Sequence, residues 1–261
     1  NPTSPSGAEY FVTNESYAGF VQANYALSDT LKATGGFRYT KVTQDVDVRN
    51  TNALGCVVPI AVRPNPAVCS APFSLSTKKP SYLVSIDWQA TPDILLYAKT
   101  SSSFRGGGFN VRGGGAGGAN PYLPFDPETA TDYEIGFKGD LMDRTLRLNL
   151  AAYYTDYKDI QKSSLIVANN SIITVVNNAA KGSIYGGEAE LTWQPTPEFT
   201  LNATGAWTHT KYSRFVEANG NDRSAEPFPV PEWQYSVSGK YAVPVGNGDL
   251  SLFAAWRWQD D

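Results

Sequence analysis

Several residue types that carry common chemistries are scarce in this chain. Its 261 residues include one histidine, one methionine and two cysteines, too few thiols and imidazoles for an ordinary four-ligand zinc site. No stretch approaches the roughly 18 apolar residues of a membrane helix, and the opening NPTSPSG lacks the basic and then apolar pattern of a signal peptide. The net charge of −4 argues against a nucleic-acid partner, whose phosphates would call for clustered Lys and Arg.

Alternation of apolar and polar residues is what the chain has in abundance, and no helical period competes with it. The mean hydropathy of a transmembrane barrel can resemble that of a soluble protein, because only alternate residues face lipid. Ten segments show the pattern: 17–27, 31–39, 82–89, 94–104, 133–138, 146–154, 187–193, 201–208, 233–243 and 250–258. The facing of 94–104 stays open, because its start is uniformly apolar.

The links between these segments alternate strictly in length. Short, turn-rich links lie at 28–30, 90–93, 139–144, 194–198 and 244–249, and long links at 49–79, 105–128, 161–180 and 211–231. A soluble sandwich has no reason to keep all its long links at one end. An outer-membrane barrel has one, because its periplasmic turns are short and its extracellular loops are long.

Aromatic residues gather near the two ends of the segments, and this predicts two girdles. Trp233 and Tyr241, for example, are separated by about 26 Å of strand at about 3.3 Å per residue. Tilted, that length fits an apolar band about 25 Å tall. The alternative is a soluble sandwich, but a sandwich core would not sort its rings into two rows. The sequence therefore predicts an all-β fold, an antiparallel up-and-down wall of about ten transmembrane strands.

In a wall of ten such strands, both ends of this sequence lie on the side of the long links. Complete single-chain barrels keep their termini in the periplasm, and an open sheet in lipid leaves unpaired backbone groups at several kcal/mol each. We therefore expect residues 1–261 to be part of a barrel domain that continues at both ends.

Five segments resemble the barrel domain of TonB-dependent receptors, in that family's order. They are LLYAKTSSSFRGGGFN (95–110), FDPETATDYEIGFKG (125–139), LRLNLAAYYTDYKDIQ (146–161), GSIYGGEAELTW (182–193) and PFPVPEWQYSVSGKY (227–241). The resemblance implies a bacterial outer-membrane barrel of 22 strands around a plugged lumen. The N-terminal plug domain and the closing strand of that family have no counterpart in these residues.

The resemblance implies that the protein is a receptor and not an enzyme. Such a receptor takes up a scarce nutrient in an energy-coupled process, and the implied substrate class is a ferric siderophore. The implied partners are outer-membrane lipid, a small anionic metal chelate or other nutrient, and TonB through the missing plug domain. No cofactor is implied. Two other functions remain open. One is a passive diffusion channel, or porin, and the other is an outer-membrane hydrolase that would use His209.

A set of charged residues alternates with the apolar face and is predicted to line the lumen: Glu134, Lys138, Arg147, Glu188 and Glu190. If Phe137 pairs with Leu146, Glu134 lies opposite Asn149 and diagonal to Arg147. These charges could engage a moving plug. The alternative is a water-facing wall that balances its own charges, as polar barrel interiors do.

The glycine-rich stretch FRGGGFNVRGGGAGGANPY (104–122) permits two interpretations. It lacks the Gly-Lys-Ser/Thr of a phosphate loop, so nucleotide binding is disfavoured. One interpretation is a mobile connector. The other is ligand capture, in which arginines clamp an anionic chelate and rings stack on it; the candidates are Arg105, Phe109, Arg112 and Tyr122.

Cys56 and Cys69 share one long link and are predicted to form a disulfide in an oxidising compartment. Closing so short a loop contributes about 3 kcal/mol in the chain-entropy model. His209 lies two residues past Trp207, and the nearest acids in sequence, Glu217 and Asp222, fall in the next link. A solvated histidine at the rim is the alternative to catalysis.

Overall fold

A computed structural model describes residues 7–52, 54–111, 122–168, 171–228 and 230–260. Apart from one 3-10 turn at Ile60–Val62, its regular elements are strands: β1 Gly7–Ala26, β2 Leu31–Asn52, β3 Gly55–Cys56, β4 Ala71–Thr91, β5 Ile94–Arg105, β6 Gly108–Phe109, β7 Pro124–Phe125, β8 Glu128–Leu141, β9 Leu146–Ala168, β10 Ser171–Thr196, β11 Phe199–Phe215, β12 Trp233–Val245 and β13 Gly248–Gln259. Across these ranges no helix has the length and apolar character needed to cross a membrane.

Ten long strands form one antiparallel meander in the order β1-β2-β4-β5-β8-β9-β10-β11-β12-β13. Each strand pairs with its neighbour in the chain, and β1 and β13 form the two edges of an open sheet. The prediction of an all-β, up-and-down wall of about ten strands is confirmed. The short β6 and β7 pair with each other away from this sheet, and β3 folds back on β2.

The strands are longer than the sequence pattern predicted. The described residues of the predicted long link 161–180 belong to β9 and β10, whose pairing continues out to Ala168 and Ser171. The predicted link 49–79 shrinks to the residues between Asn52 and Ala71, and the link 211–231 begins only after Phe215. The link 105–128 was placed correctly, since β5 ends at Arg105 and β8 begins at Glu128.

Along β2 the apolar residues pass from one face of the sheet to the other, which explains why the sequence pattern did not predict the outer ends of the strands. In its first half Phe37 and Tyr39 lie on the face predicted to meet lipid, here called the outer face, and Arg38 on the opposite, inner face. Beyond residue 41 the pattern inverts, with Asp47 outside and the buried Val46 and Val48 inside. Outside the lipid band the outer face meets water, while the inner face packs against folded links. The expected alternation is therefore reversed there.

The aromatic girdles give the tilt of the strands. An unbroken row of paired residues runs from Trp233 on β12 across seven strands to Tyr25 on β1. Trp233 belongs to the upper girdle and Tyr25 to the lower one, eight residues below Tyr17. The apolar band thus descends about one residue per strand. With about 3.3 Å per residue and about 4.8 Å between strands, the tilt is about 35°, as in outer-membrane barrels.

Candidate functional site at the inner face and outer mouth

An ion-pair cluster lies on the inner face where β5 meets β8. The Lys99 Nζ is 2.7 Å from the Glu134 Oε2, and the Tyr97 hydroxyl donates to the Glu134 Oε1 at 2.6 Å. The Lys138 ammonium lies 5.6 Å from the centre of the Tyr97 ring. That ring covers Gly136, where an added Cβ would be 2.3 Å from ring atoms. The facing of β5, open in the sequence, is settled because Lys99 pairs with Glu134 in register.

The predicted pairing of Phe137 with Leu146 is wrong by four residues. Leu141 pairs with Leu146, and Phe137 pairs with Leu150. The reason is the turn, which uses three consecutive left-handed residues, Met142, Asp143 and Arg144, and so closes the hairpin four residues later. Because the shift is even, every side chain keeps its predicted face.

The shift in register separates the predicted charge cluster into smaller groups. Arg147 pairs with Asp140 at 2.7 Å, at the end of the short links, instead of approaching Glu134. The Asn149 amide donates to Glu190 at 3.3 Å, and Lys138 lies opposite Asn149. Of the five predicted lumen charges, Glu134 and Arg147 are thus ion-paired and Glu190 accepts from an amide, while no ion pair among the described residues involves Lys138 or Glu188.

At the outer mouth, the described parts of the link 105–128 lie across the inner face. These parts, 106–111 and 122–127, form the small hairpin of β6 and β7. On one flank this hairpin contacts β2, where the Phe109 N–H donates to the Gln44 Oε1 at 3.2 Å and the Asn50 amide donates to the Tyr122 hydroxyl at 3.3 Å.

The other flank of the hairpin is bonded to β9 and β10. The Asn110 side chain accepts from the Val176 N–H at 2.6 Å and donates to the Val176 carbonyl at 2.9 Å. The Asn178 side chain makes the same kind of pair with the backbone of Asp126, at 2.6 and 2.7 Å. Each amide side chain thus takes the place of a strand residue. Bonds to both flanks hold the described parts of the link across the mouth.

Two of the described glycines of this link, Gly107 and Gly108, serve close packing. A Cβ on Gly107 would lie 2.3 Å from the Phe125 carbonyl oxygen, and a Cβ on Gly108 would lie 2.7 Å from the Phe125 ring. A Cβ on Gly106 would make only an ordinary contact, 3.6 Å from Val42. The close packing of Gly107 and Gly108 therefore disfavours the interpretation of a mobile connector for the described residues 105–111.

The four predicted ligand residues occupy different environments. The Arg105 side chain is 72% exposed, 3.7 Å from Glu128. Phe109 is half-buried with its ring 5.6 Å from that of Phe73. Tyr122 is 0% exposed and belongs to the core of the mouth with Val46 and Val48. A ring so buried cannot stack on a ligand, so the predicted role of Tyr122 is wrong in this structure. Arg112 lies outside the described residues.

Glu128 is the buried charge of this region, with 5% of its surface exposed. Its carboxylate accepts from the Tyr157 hydroxyl at 2.8 Å and from the Gln161 N–H at 2.7 Å. The Gln161 amide in turn donates to the Gly106 carbonyl at 2.9 Å. Glu128 thereby fixes the position where the link re-enters the sheet.

Cys56 and Cys69 form a disulfide, with their Cα atoms 5.5 Å apart. Both cysteines pack against the core of the mouth, next to the buried Val58. Among the described residues, no group of three or more His, Cys, Asp or Glu side chains could hold a metal ion.

His209 lies on the outer face, next to the aromatic girdle. Its Nδ1 is 3.3 Å from Glu232, which also accepts from the Trp207 indole at 3.2 Å, and its ring is 5.0 Å from that of Tyr185. The sequence pointed to Glu217 and Asp222 as acidic neighbours. Glu217 instead pairs with Arg223 at 2.7 Å, and this guanidinium lowers the pKa of the Glu217 carboxyl. His209 thus lies among girdle aromatics, away from the inner face.

Sequence reasoning missed the residues that join distant segments. Lys99 and Tyr97 were hidden by the apolar start of β5, and Asn110 and Asn178 bond to backbone groups 66 and 52 residues away. No spacing rule relates residues that far apart. Glu128 carried a weak signal, as an acid at the start of a strand.

Comparison with known proteins identifies the family. Residues 1–261 match the family described as TonB dependent receptor-like, beta-barrel. Among curated proteins, the metal-pseudopaline receptor of Pseudomonas aeruginosa is 27% identical over 163 residues, or 62% of this chain and 21% of that receptor. The ferric-pyoverdine 358 receptor of Pseudomonas putida is 26% identical over 136 residues, or 52% of this chain and 16% of that receptor. The chain thus spans no more than 21% of either relative.

Solved structures show the same fold. The ferric yersiniabactin uptake receptor of Yersinia pestis superposes with a TM-score of 0.73 at 19% identity, covering 96% of this chain and 35% of that one. The ferric-catecholate import receptor of Escherichia coli K12, in its closed form, gives a TM-score of 0.67 at 16% identity and covers 97% and 36%. The chain belongs to the TonB-dependent receptor-like β-barrel family of the bacterial outer membrane.

Proposed function

We propose that this chain forms part of the wall of a receptor that takes up an anionic ferric chelate of the siderophore type, with energy delivered through TonB. The observation that supports the proposal best is the link 105–128, whose described parts cross the inner face at the outer mouth, where an incoming ligand is first held. The exposed Arg105 side chain lies there and offers a cation to an anionic chelate. The printed names of relatives that bind metal-pseudopaline and ferric-pyoverdine support the same class of substrate.

The inner-face charges fit transport better than catalysis. Glu134 is ion-paired with Lys99 and accepts a hydrogen bond from Tyr97, and Arg147 is ion-paired with Asp140. In these groups each charge is balanced by a neighbour of opposite sign. The open edges at β1 and β13 need partners in lipid, since unpaired backbone groups cost several kcal/mol each there. We propose that further strands of the parent barrel supply those partners.

Replacing Arg105 and Arg112 by Ala in the intact receptor should weaken binding of an anionic ferric chelate at least tenfold. The reason is the loss of charge-assisted hydrogen bonds, each worth roughly 1.5–3 kcal/mol. Binding of labelled ferric chelate to whole cells measures the effect, with surface expression checked by antibody. Arg144→Ala is the matched control, because its exposed guanidinium pairs with Asp93 at the end of the short links.

Three results would contradict the proposal. Unchanged affinity in the double variant would remove the arginines from the ligand site. Uptake that persists without TonB would favour a passive channel. Turnover of a substrate that is lost in His209→Ala would favour a hydrolase.

A further inference from the structure

Two lysines lie side by side on the outer face of the sheet. Lys41 on β2 and Lys78 on β4 are direct partners in the antiparallel register, and Tyr17 on β1 lies on the other side of Lys41. Both lysines are exposed. Each lies four residues from a lipid-facing residue of its own strand, Lys41 from Phe37 and Lys78 from Tyr82, and an even spacing keeps side chains on one face, so both leave the sheet on the lipid side.

Their height relative to the bilayer follows from the tilt. Tyr17 marks the upper girdle on β1, and the apolar band falls by about one residue per strand from there. Lys41 and Lys78 share the row of Tyr17. On their own strands they therefore lie roughly one and two residues above the band, or about 3–7 Å along the strand. This is the level of the lipid headgroups.

Neither lysine has an acidic partner within ion-pair distance in the described part of the chain. Another cation on the outer face, Lys158, is paired with Asp156 at 2.7 Å. Glu15 lies diagonal to Lys41 through its pairing with Thr43, but forms no ion pair with it. Like charges directly opposite each other on a sheet are destabilising. Because neither lysine forms an ion pair, no carboxylate of the described residues offsets the repulsion between the two ammonium groups.

Hydroxyl groups complete the surroundings. Thr43 and Ser76 are the next partners on the same face, one row further from the membrane. Two lysines and two hydroxyl residues thus occupy neighbouring positions on the outer face, which offers charged and neutral donors to an anion with several oxygens. We propose that Lys41 and Lys78 bind the phosphate of an outer-leaflet lipid headgroup, with Thr43 and Ser76 as additional donors.

This site is separate from the proposed uptake route, because it lies on the opposite face of the sheet from Arg105 and Glu134. Its occupant is a lipid, since the level of the patch is that of the headgroups and the acyl chains would then lie against Phe37 and Tyr82. An attraction of this kind raises lipid affinity about fivefold per lysine near an anionic surface. Two lysines should therefore change lipid affinity by at least tenfold.

The test uses the intact receptor in a neutral detergent with three probes: diphosphorylated lipid A, the same lipid after removal of its phosphates, and inorganic phosphate. Lipid adducts are counted by native mass spectrometry, and thermal unfolding is followed in parallel. The variants are Lys41→Gln with Lys78→Gln, and Lys41→Arg with Lys78→Arg. The control is Lys32→Gln with Lys240→Gln, which removes two charges from the inner face.

We expect the double Gln variant to bind the diphosphorylated lipid at least tenfold more weakly than the wild type, while the Arg variant and the control bind it normally. Without lipid, the double Gln variant should be as stable as the wild type or more stable, because the repulsion between the lysines is gone. With the phosphorylated lipid, the order should reverse.

Equal lipid affinity in the double Gln variant and the wild type would overturn the proposal. So would equal binding of the dephosphorylated lipid, which would make the contact apolar. Equal stabilisation by inorganic phosphate would assign the patch to a free anion. A double Gln variant that is less stable than the wild type without lipid would give the lysines a structural role instead.

Discussion

Val237→Arg in the intact receptor should lower the free energy of unfolding by roughly 2–4 kcal/mol, the cost of an arginine at the bilayer midplane on the lipid face of a barrel. Val237 lies midway between the girdle residues Trp233 and Tyr241 on β12. Its side chain, 40% exposed in the isolated sheet, leaves on the same face as theirs. No water is available at that depth to solvate a guanidinium.

The neighbouring substitution Ser238→Arg is the matched control. Ser238 pairs with Asn202 and Ala255 on the inner face, where water solvates a charge, so its cost should be far smaller. Urea unfolding of the receptor folded into lipid vesicles, followed by tryptophan fluorescence, gives both values. Equal costs for the two substitutions would show that the assignment of the inner and outer faces is wrong.

The membrane-spanning part of the fold could be predicted from sequence, because a strand with one face in lipid must alternate apolar and polar residues. Leu146, Leu148 and Leu150 alternate with polar residues, and the structure places them on one face of β9. The short turns were also visible in the sequence. The number of strands followed from these two signals together.

The rest of the fold depends on contacts that no local pattern encodes. Residues 161–168 and 171–180 form the outer ends of β9 and β10, beyond the bilayer, where neither face meets lipid. Apolar and polar residues need not alternate there, so these strand ends resembled a link. The pairing of Phe137 with Leu150 depends on a turn of three left-handed residues that includes Met142, which turn statistics do not favour. Tyr122 looked like a ligand-binding ring until the packing of the mouth was known.

The predicted site was recovered only in part for the same reason. Glu134 and Lys138 share one face of the sheet, as their alternation predicted, because facing depends only on alternation. The partners that they contact, Lys99 for Glu134 and the Tyr97 ring for Lys138, could not be identified, since both come from a strand whose facing the sequence left open. Position on a face can be predicted from sequence, whereas pairing across strands requires the register.

Gly107→Ala should weaken chelate binding by the intact receptor about a hundredfold, or about 2.7 kcal/mol. The new Cβ would lie 2.3 Å from the Phe125 carbonyl oxygen, and a backbone atom cannot move aside as a flexible side chain can. The segment must leave its pairing with β7. It then loses the bond from Gln161 to the Gly106 carbonyl and displaces Arg105.

Gly106→Ala separates this effect from a general loss of glycine, because its Cβ meets only Val42 at 3.6 Å. It should bind the chelate within about twofold of the wild type, since an ordinary contact displaces nothing. Titration of whole cells with labelled ferric chelate measures both affinities, and heat-modifiable mobility on gels confirms that each barrel is folded. Since the link lies at the outer end of the sheet, both variants should stay folded. Normal affinity in a folded Gly107→Ala receptor would mean that the chelate is held somewhere other than at this link.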